Sequence, residues 1–415
     1  MPYQFRSSYH GSANSRFSSS NGRRGGSAGR SGGRGKRTAQ YINPSRFIKE
    51  AKPVTAEEYV PTHRFVDFPV IKLLHDNVVK KGYVLPSPIQ DQTIPLGLEG
   101  KDVIGIANTG TGKTAAFAIP VLNKLVSSVL ADDAKPSTVS RALIVAPTRE
   151  LAQQIEEECR HLGKGSMLYG AVLIGGSSMG IQLKDLRNDP QIVIGTPGRI
   201  KDHLERGTLD LSRFDTVVLD EVDRMLDMGF VNDMRDILGQ LKAERQSFFF
   251  SATMDDRVRG LINTFANDPV TVAVKTGETS DNVHQDVVRV ADKNQKIDKL
   301  HDLLISGQIG KAIIFDETQR SVERLSKSLL ERGFDADAIH GGKTQGQRLK
   351  ALNKFKKNEI NILVATDVAA RGIDVADITH VINFTQPQSY EDYVHRIGRA
   401  GRAGRTGYAL TFVER

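Results

Sequence analysis

Eight residues, Ala107-Asn108-Thr109-Gly110-Thr111-Gly112-Lys113-Thr114, lie between the apolar run Val103-Ile104-Gly105-Ile106 and the helical stretch 115–119. Glycines in such a loop let backbone N–H groups approach an anion, a helix start attracts negative charge, and Lys113 can neutralise the β and γ phosphates of a nucleotide. The Thr114 hydroxyl is then placed to ligate Mg²⁺. The strict phosphate-loop pattern has Gly where this chain has Ala107, but that position ends a strand, where a small residue suffices. A second element, Asp220-Glu221-Val222-Asp223, ends the apolar run 216–219. Nucleotide hydrolysis needs one carboxylate to hold Mg²⁺ and another to orient or deprotonate water. Adjacent acids at a strand end point to opposite sides, so Asp220 and Glu221 can divide those tasks. The strand–loop–helix setting speaks against a mere Gly-rich turn, whereas the acids alone would read as solvated surface. Together they point to nucleotide hydrolysis with Mg²⁺.

The elements that must position these residues are legible as short β-branched runs separated by amphipathic stretches. Runs at 103–106, 142–145, 192–194, 217–219 and 248–250 alternate with helical patterns such as 148–162 and 229–243. This is the signature of βαβ units and a parallel sheet. A polar stretch at 275–283 interrupts it and reads as a linker. The alternation resumes at 312–315, 362–365 and 381–384. Two tandem α/β lobes are expected.

The 415 residues suit two domains plus a tail, and 39% hydrophobic with 26% charged residues is a globular composition. A lone cysteine, Cys159, excludes an internal disulfide framework and suits a reducing compartment. No apolar run reaches membrane-spanning length and no signal-peptide core is present, so a cytoplasmic protein without membrane contact is expected. An Arg- and Ser-rich, acid-free N-terminus also suits a transit peptide. The net charge of +8 is localised. Residues 1–40 carry eight Lys or Arg and no acid, leaving 57 − 8 = 49 basic against 49 acidic residues in the remainder. This Gly-, Ser- and Arg-rich tail is expected to be disordered. Its arginines suit a nucleic-acid tether, with Tyr3, Phe5, Tyr9 and Phe17 available to stack on bases; a solvating linker is the alternative.

From Phe65 to the C-terminus the chain resembles the DEAD-box RNA helicases, with the motifs in the family's order. The resemblance implies two tandem RecA-like domains, each a mostly parallel sheet flanked by helices. The expected boundaries are a tail at 1–40, a linker at 41–64, an ATP-binding domain at 65–274 with its adenine-recognition motif at 65–93, an interdomain linker at 275–283 and a C-terminal helicase domain at 284–415. Phe65, seventeen residues before Gly82-Tyr83-Val84-Leu85-Pro86-Ser87-Pro88-Ile89-Gln90, would stack on adenine while Gln90 bonds its edge. An amide can pair bidentately with adenine, which favours ATP over GTP. Ser251-Ala252-Thr253 matches the motif that links hydrolysis to strand separation, its hydroxyls within reach of Asp223, and His395 belongs to the same coupling set. Arg399 and Arg402 would act as arginine fingers on the γ-phosphate, worth roughly 10³–10⁵ in rate in phosphoryl-transfer enzymes. Asp374 would contact the ribose. Departures are few: Val222 for Ala, Asn108 for Gln and Ala400 for Thr, none of which removes a charged or ligating group.

The resemblance also implies an RNA track. Pro147, Thr148, Arg149, Gly175, Gly176, Thr196 and Arg199 would carry it in the first lobe, with Gln345, Arg348 and Thr366 in the second. Hydroxyls, small residues and arginines at strand ends suit sequence-blind sugar and phosphate contacts. The expected partner is therefore RNA, single-stranded or in short duplexes, read with little sequence specificity, with the tail as an extra contact and the protein a monomer.

Overall fold

The computed structural model describes residues 42–51, 59–108, 110–131, 139–274, 282–307, 309–370, 373, 375, 377–401 and 405–414. The basic tail lies outside these residues, as do Thr109, Asp374 and Arg402.

The first lobe runs α1 (Lys72–Lys80), α2 (Pro88–Leu98), β1 (Val103–Ile106), α3 (Lys113–Leu130), β2 (Ala142–Val145), α4 (Arg149–Leu162) and β3 (Gly170–Leu173). It continues with α5 (Met179–Arg187), β4 (Ile192–Gly195), α6 (Pro197–Glu205), β5 (Thr216–Leu219), α7 (Val222–Asp227) and α8 (Val231–Leu238). β6 (Gln246–Ser251), α9 (Asp256–Phe265) and β7 (Val270–Ala273) complete it. The second lobe runs β8 (Val283–Val290), α10 (Lys293–Ile305), β9 (Ala312–Phe315), α11 (Gln319–Glu331), β10 (Ala336–Ile339) and α12 (Gln345–Lys356). It ends with β11 (Ile362–Ala365), α13 (Asp367–Ala370), β12 (His380–Asn383), α14 (Tyr390–Ile397) and β13 (Gly407–Glu414).

Every expected apolar run forms a strand. The described strands pair in parallel, in the order β3-β4-β2-β5-β6-β1-β7 in one sheet and β10-β11-β9-β12-β13-β8 in the other. Strands covered by helices on both faces need apolar side chains on both, which is why they read as continuous hydrophobic runs. In the first lobe Val103, Phe248 and Phe250 enter the core on one face, and Ile104 and Phe249 enter the core on the other. The second lobe divides likewise, Ile313 and Leu363 opposing Ile314 and Val364.

Parallel pairing brings all strand C-termini of a sheet to one edge, and the helices that follow start there with side-chain caps. Thr148 Oγ1 accepts from Leu151 N (3.3 Å), Asp255 from Val258 N (2.8 Å) and Ser389 Oγ from Asp392 N (3.0 Å). Each cap fixes the direction in which a loop leaves its strand. β1, which delivers the phosphate loop, is pinned by buried Asp102. Its carboxylate accepts from Ser247 N on β6 (2.6 Å) and from Asn267 N before β7 (2.8 Å). Residues 42–51, within the stretch expected to link tail and core, carry Ile42 and Phe47 into the core of the second lobe.

Asp102→Ala leaves the fully buried Ser247 N–H without an acceptor and should cost about 1–3 kcal/mol of stability. Asp102→Asn keeps an acceptor oxygen and should cost less. Denaturant unfolding of the two variants checks this ordering.

Candidate functional site

The loop after β1 closes over its own backbone. Gly112 caps α3 at φ 89°, where a side chain is strained, and an added Cβ would lie 2.4 Å from Gln90 Nε2. Thr111 Oγ1 donates to Asn108 O (2.8 Å), and Ser87 Oγ donates to Thr111 O (2.7 Å). Lys113 is buried and donates to Ala107 O (3.0 Å). Gly110 and Thr114 line the cavity beside it. Gln90 is held at both ends of its amide: Oε1 accepts from Ser87 N (2.9 Å) and Nε2 donates to Gly112 O (3.0 Å).

Lys113 faces a cavity of about 240 Å³ lined by both lobes, with Thr114, Asp220 and Glu221 from the first and Ile373 and Arg399 from the second. Asp220 is 2% exposed. Burial pushes its carboxyl up to about 6, against the pull of Lys113 and with Glu221 adding to the rise. Glu221 goes the other way. Burial opposes its charge, but Arg224, Lys113 and Arg399 hold its carboxyl below the usual range. Its backbone lies in the left-handed region (φ 56°), rare for a residue with a side chain, and Arg224 pairs with the carboxylate. Thr114 and Asp220 on one cavity offer hard oxygen donors of the kind Mg²⁺ takes, Asp220 once it is ionised.

Three expected site residues have neighbours that the sequence did not announce. Phe65 is buried, its ring stacked on Tyr83 (centroids 5.1 Å apart, 24° between planes), and Tyr83 is the aromatic that lines the cavity. Tyr83 Oη donates to Glu158 Oε1 (2.8 Å), which also pairs with Lys81. Gln345 and Arg348, expected on the RNA track, are buried against the first lobe. Gln345 Nε2 donates to Gln153 Oε1 (2.9 Å) and Glu150 Oε1 (3.3 Å), and Arg348 Nη2 lies 2.9 Å from Glu150 Oε2. In this structure these two form a contact between lobes. Tyr83 lies in the adenine-recognition motif and Glu150 directly follows Arg149, but nothing in their types distinguished a cavity wall or a buried anchor from surface.

The residues expected to couple hydrolysis to strand separation lie together. The Asp223 carboxylate accepts from Ala252 N (3.1 Å), Thr253 N (3.0 Å) and Thr253 Oγ1 (3.2 Å), while Asp223 N donates to Ser251 Oγ (3.3 Å). A second cleft, of about 200 Å³, places His395 of α14 opposite Asp223 and Thr253. Arg399 Nη1 donates to Ile373 O (3.0 Å). Arg396, to which no role was given, forms a two-pronged pair with Asp367 (2.6 and 2.8 Å), the residue after Thr366.

Along the other half of the first sheet, Pro147, Thr148 and Arg149 follow β2, Gly175 and Gly176 follow β3, and Thr196 and Arg199 follow β4. Arg149 lies across Gly176 (φ 79°), where an added Cβ would come within 2.5 Å of its Nη1. Thr196 precedes Pro197 at the start of α6, and Arg199 Nη1 donates to Ser177 O (3.4 Å).

Comparison with known proteins agrees with this geometry. Residues 87–261 match the DEAD/DEAH box helicase family and 295–404 match the helicase conserved C-terminal domain. The chain is 49% identical over 337 residues to the DEAD-box ATP-dependent RNA helicase CshA of Geobacillus kaustophilus, covering 81% of this chain and 70% of that protein. It is 47% identical over 352 residues to ATP-dependent RNA helicase CshA of Listeria monocytogenes, covering 85% of this chain and 66% of that one. It thus spans about two thirds of these relatives' length. Among solved structures it resembles Mss116p bound to ssRNA and AMP-PNP (TM-score 0.75, 30% identity, 86% and 76% of the two chains). It also resembles S. cerevisiae Dbp5 bound to RNA and ADP BeF3 (0.73, 28%, 85% and 89%).

The Glu150–Arg348 pair should behave as a cross-lobe unit. Glu150→Gln and Arg348→Met, singly and together, should show a coupling of about 1–3 kcal/mol in the closure equilibrium. Fluorescence transfer between dyes on the two lobes reads that equilibrium, and strictly additive effects would remove the pair from it.

Proposed function

Because this chain belongs to the DEAD-box ATP-dependent RNA helicase family, we propose that it clamps single-stranded RNA across its two lobes and uses ATP hydrolysis to unwind short duplexes locally or remodel RNA–protein complexes. The observation that carries this reading is Arg399 of the second lobe on the same cavity as Lys113, Thr114, Asp220 and Glu221 of the first.

ATP enters with its phosphates under the loop 107–114 and its base beside Tyr83 and Gln90. Lys113 leaves the Ala107 carbonyl for the β and γ phosphates. Thr114 and Asp220 would hold Mg²⁺, which when bound would supply charge neutralisation on those phosphates. Glu221, ionised and fixed by Arg224, orients the attacking water, and Arg399 stabilises charge on the transferred phosphoryl group. Arg402 is proposed as a further finger and Asp374 as a ribose contact, both outside the described residues. Closure seats Gln345 and Arg348 on Glu150 beside the strand-end residues that hold the RNA backbone, Pro147 to Arg149, Gly176, Thr196, Arg199 and Thr366. RNA and ATP therefore each tighten the binding of the other. Bending one strand melts a few pairs, at ~1.4 kcal/mol per step on the DNA scale, which binding energy covers without processive movement. Asp223, bonded to Thr253 and facing His395, relays phosphate loss to the cleft. The protein works as a cytoplasmic monomer, and its basic tail adds RNA affinity without sequence preference. No described helix is long and apolar enough to cross a membrane.

ATPase rates measured alone, with single-stranded RNA and with DNA of the same sequence test the reading. RNA should stimulate strongly and DNA should not; no stimulation, or equal stimulation by DNA, would overturn it. Glu221→Gln keeps size and backbone strain and should slow turnover at least ~100-fold while trapping RNA in an ATP-bound clamp. Normal turnover by that variant sinks the assignment of Glu221. Removing residues 1–40 should flatten the dependence of RNA affinity on salt, by up to about 0.7 per lost phosphate contact. An unchanged slope means the tail does not touch RNA.

A further inference from the structure

The segment that precedes the first lobe in sequence is anchored on both lobes. At one end Tyr59 Oη (2.5 Å), Thr62 N (2.7 Å) and His63 N and Nδ1 (3.1 and 2.7 Å) all bond the buried carboxylate of Asp91, on α2 of the first lobe. At the other end Phe47 is fully buried in the second lobe, its ring 4.7 Å from that of Tyr393 on α14. The Arg46 guanidinium lies 3.9 Å above the Tyr390 ring. Lys49 and Gln285 exchange both backbone hydrogen bonds (3.0 and 2.8 Å), which adds Lys49 to the edge strand β8, and Gln285 accepts from Tyr393 Oη (3.0 Å).

From these contacts we propose that residues 42–63 form a second tether between the lobes, held on the second lobe by Phe47. The familiar connection leaves the first lobe at Val274 and enters the second at Asn282. The new one leaves the second lobe at Ala51 and enters the first at Tyr59. Each spans eight chain steps, at most about 29 Å when fully extended. One flexible connection lets a lobe swing through any orientation its reach allows. Two connections rooted at different points bound both separation and rotation, and so raise the effective concentration of one lobe's site for the other's. The far root is α14, the helix that presents His395 and leads to Arg399. The tether thus limits how far the arginine-bearing surface can stray from the phosphate loop between turnovers.

Two full-length variants test this. In the first, a protease site replaces residues 52–58, so that cutting severs the tether while Phe47 stays packed. In the second, Phe47→Ala undocks the segment and Phe47→Leu partly restores an apolar anchor. Without ligands, cutting should widen the interlobe distance distribution read by fluorescence transfer, Phe47→Ala should match it, and Phe47→Leu should fall between. This arm is independent of the catalytic reading. The ATPase arm rests on that reading: the KM for RNA should rise about tenfold on cutting, with kcat at saturating RNA within twofold. If cutting alters neither the distance distribution nor the KM for RNA, the tether does not exist and Phe47 only packs the second lobe. A thermal midpoint lowered by Phe47→Ala with the lobe separation unchanged overturns the proposal equally.

Discussion

Glu221 stays charged where almost no water reaches it, and the rest of the site is arranged around that requirement. A buried carboxylate ordinarily escapes the cost of desolvation by taking up a proton, as its neighbour Asp220 is pushed toward doing. Glu221 is prevented from this by three cations, and they do not come from one place. Arg224 stands one helical turn away, Lys113 comes from the phosphate loop, and Arg399 comes from the other lobe. Closure therefore improves the electrostatics of a group that belongs wholly to the first lobe. Two adjacent acids at one strand end acquire opposite tendencies from surroundings alone. The backbone at Glu221 is left-handed, a strain of order 1–3 kcal/mol.

Sheet order then separates two tasks. In the first lobe β1, β5 and β6 carry the phosphate loop, the acidic pair and the Ser251–Thr253 turn, while β2, β4 and β3 carry the strand-end residues expected on RNA. The two sets meet where β2 lies beside β5. Helix α4 spans that boundary. Its first turn holds Arg149 and Glu150, and Gln154 and Glu158, one and two turns later, line the nucleotide cavity. A parallel sheet can do this because all its strands end on one edge, so neighbours in space need not be neighbours in sequence. The second lobe repeats the division, with Gln345 and Thr366 after β10 and β11, and Arg399 between β12 and β13.

The sequence made the strands and both lobes legible because strands buried on two faces must be apolar throughout, a pattern no other element of that length needs. Lys113, Asp220 and Glu221 were legible because strand, loop and helix appear in the order that phosphate binding demands. Tyr83 was not, because an aromatic on a cavity wall and one in a core are the same residue type. Phe65 shows the converse: its place in the motif was readable, but its burial behind Tyr83 depends on packing across α1 and α2. Gln345 and Arg348 carry groups that suit RNA, and only the position of the other lobe gives them Glu150 as partner. Ile42 and Phe47 stand alone in a polar stretch, too sparse for any periodicity, and nothing local announces that they enter the core of a domain more than two hundred residues away.

The cross-lobe contacts around Glu150 are polar, and the proposed clamp would have reason to prefer them so. An apolar interface of the same extent would hold the lobes shut by itself and would expose a sticky surface whenever they parted. A buried ion pair behaves differently. The cost of drying both charges offsets most of their attraction, so Glu150 with Arg348 contributes orientation more than net stability. The same pair is costly to break halfway, because a lone buried charge is worse than either the joined or the hydrated state. Closure is thereby driven toward two discrete arrangements, with the balance between them left to the ligands. A ligand shifts such a balance only by its difference in affinity for the two states. A site divided between lobes, as Lys113 and Arg399 divide this one, makes that difference large.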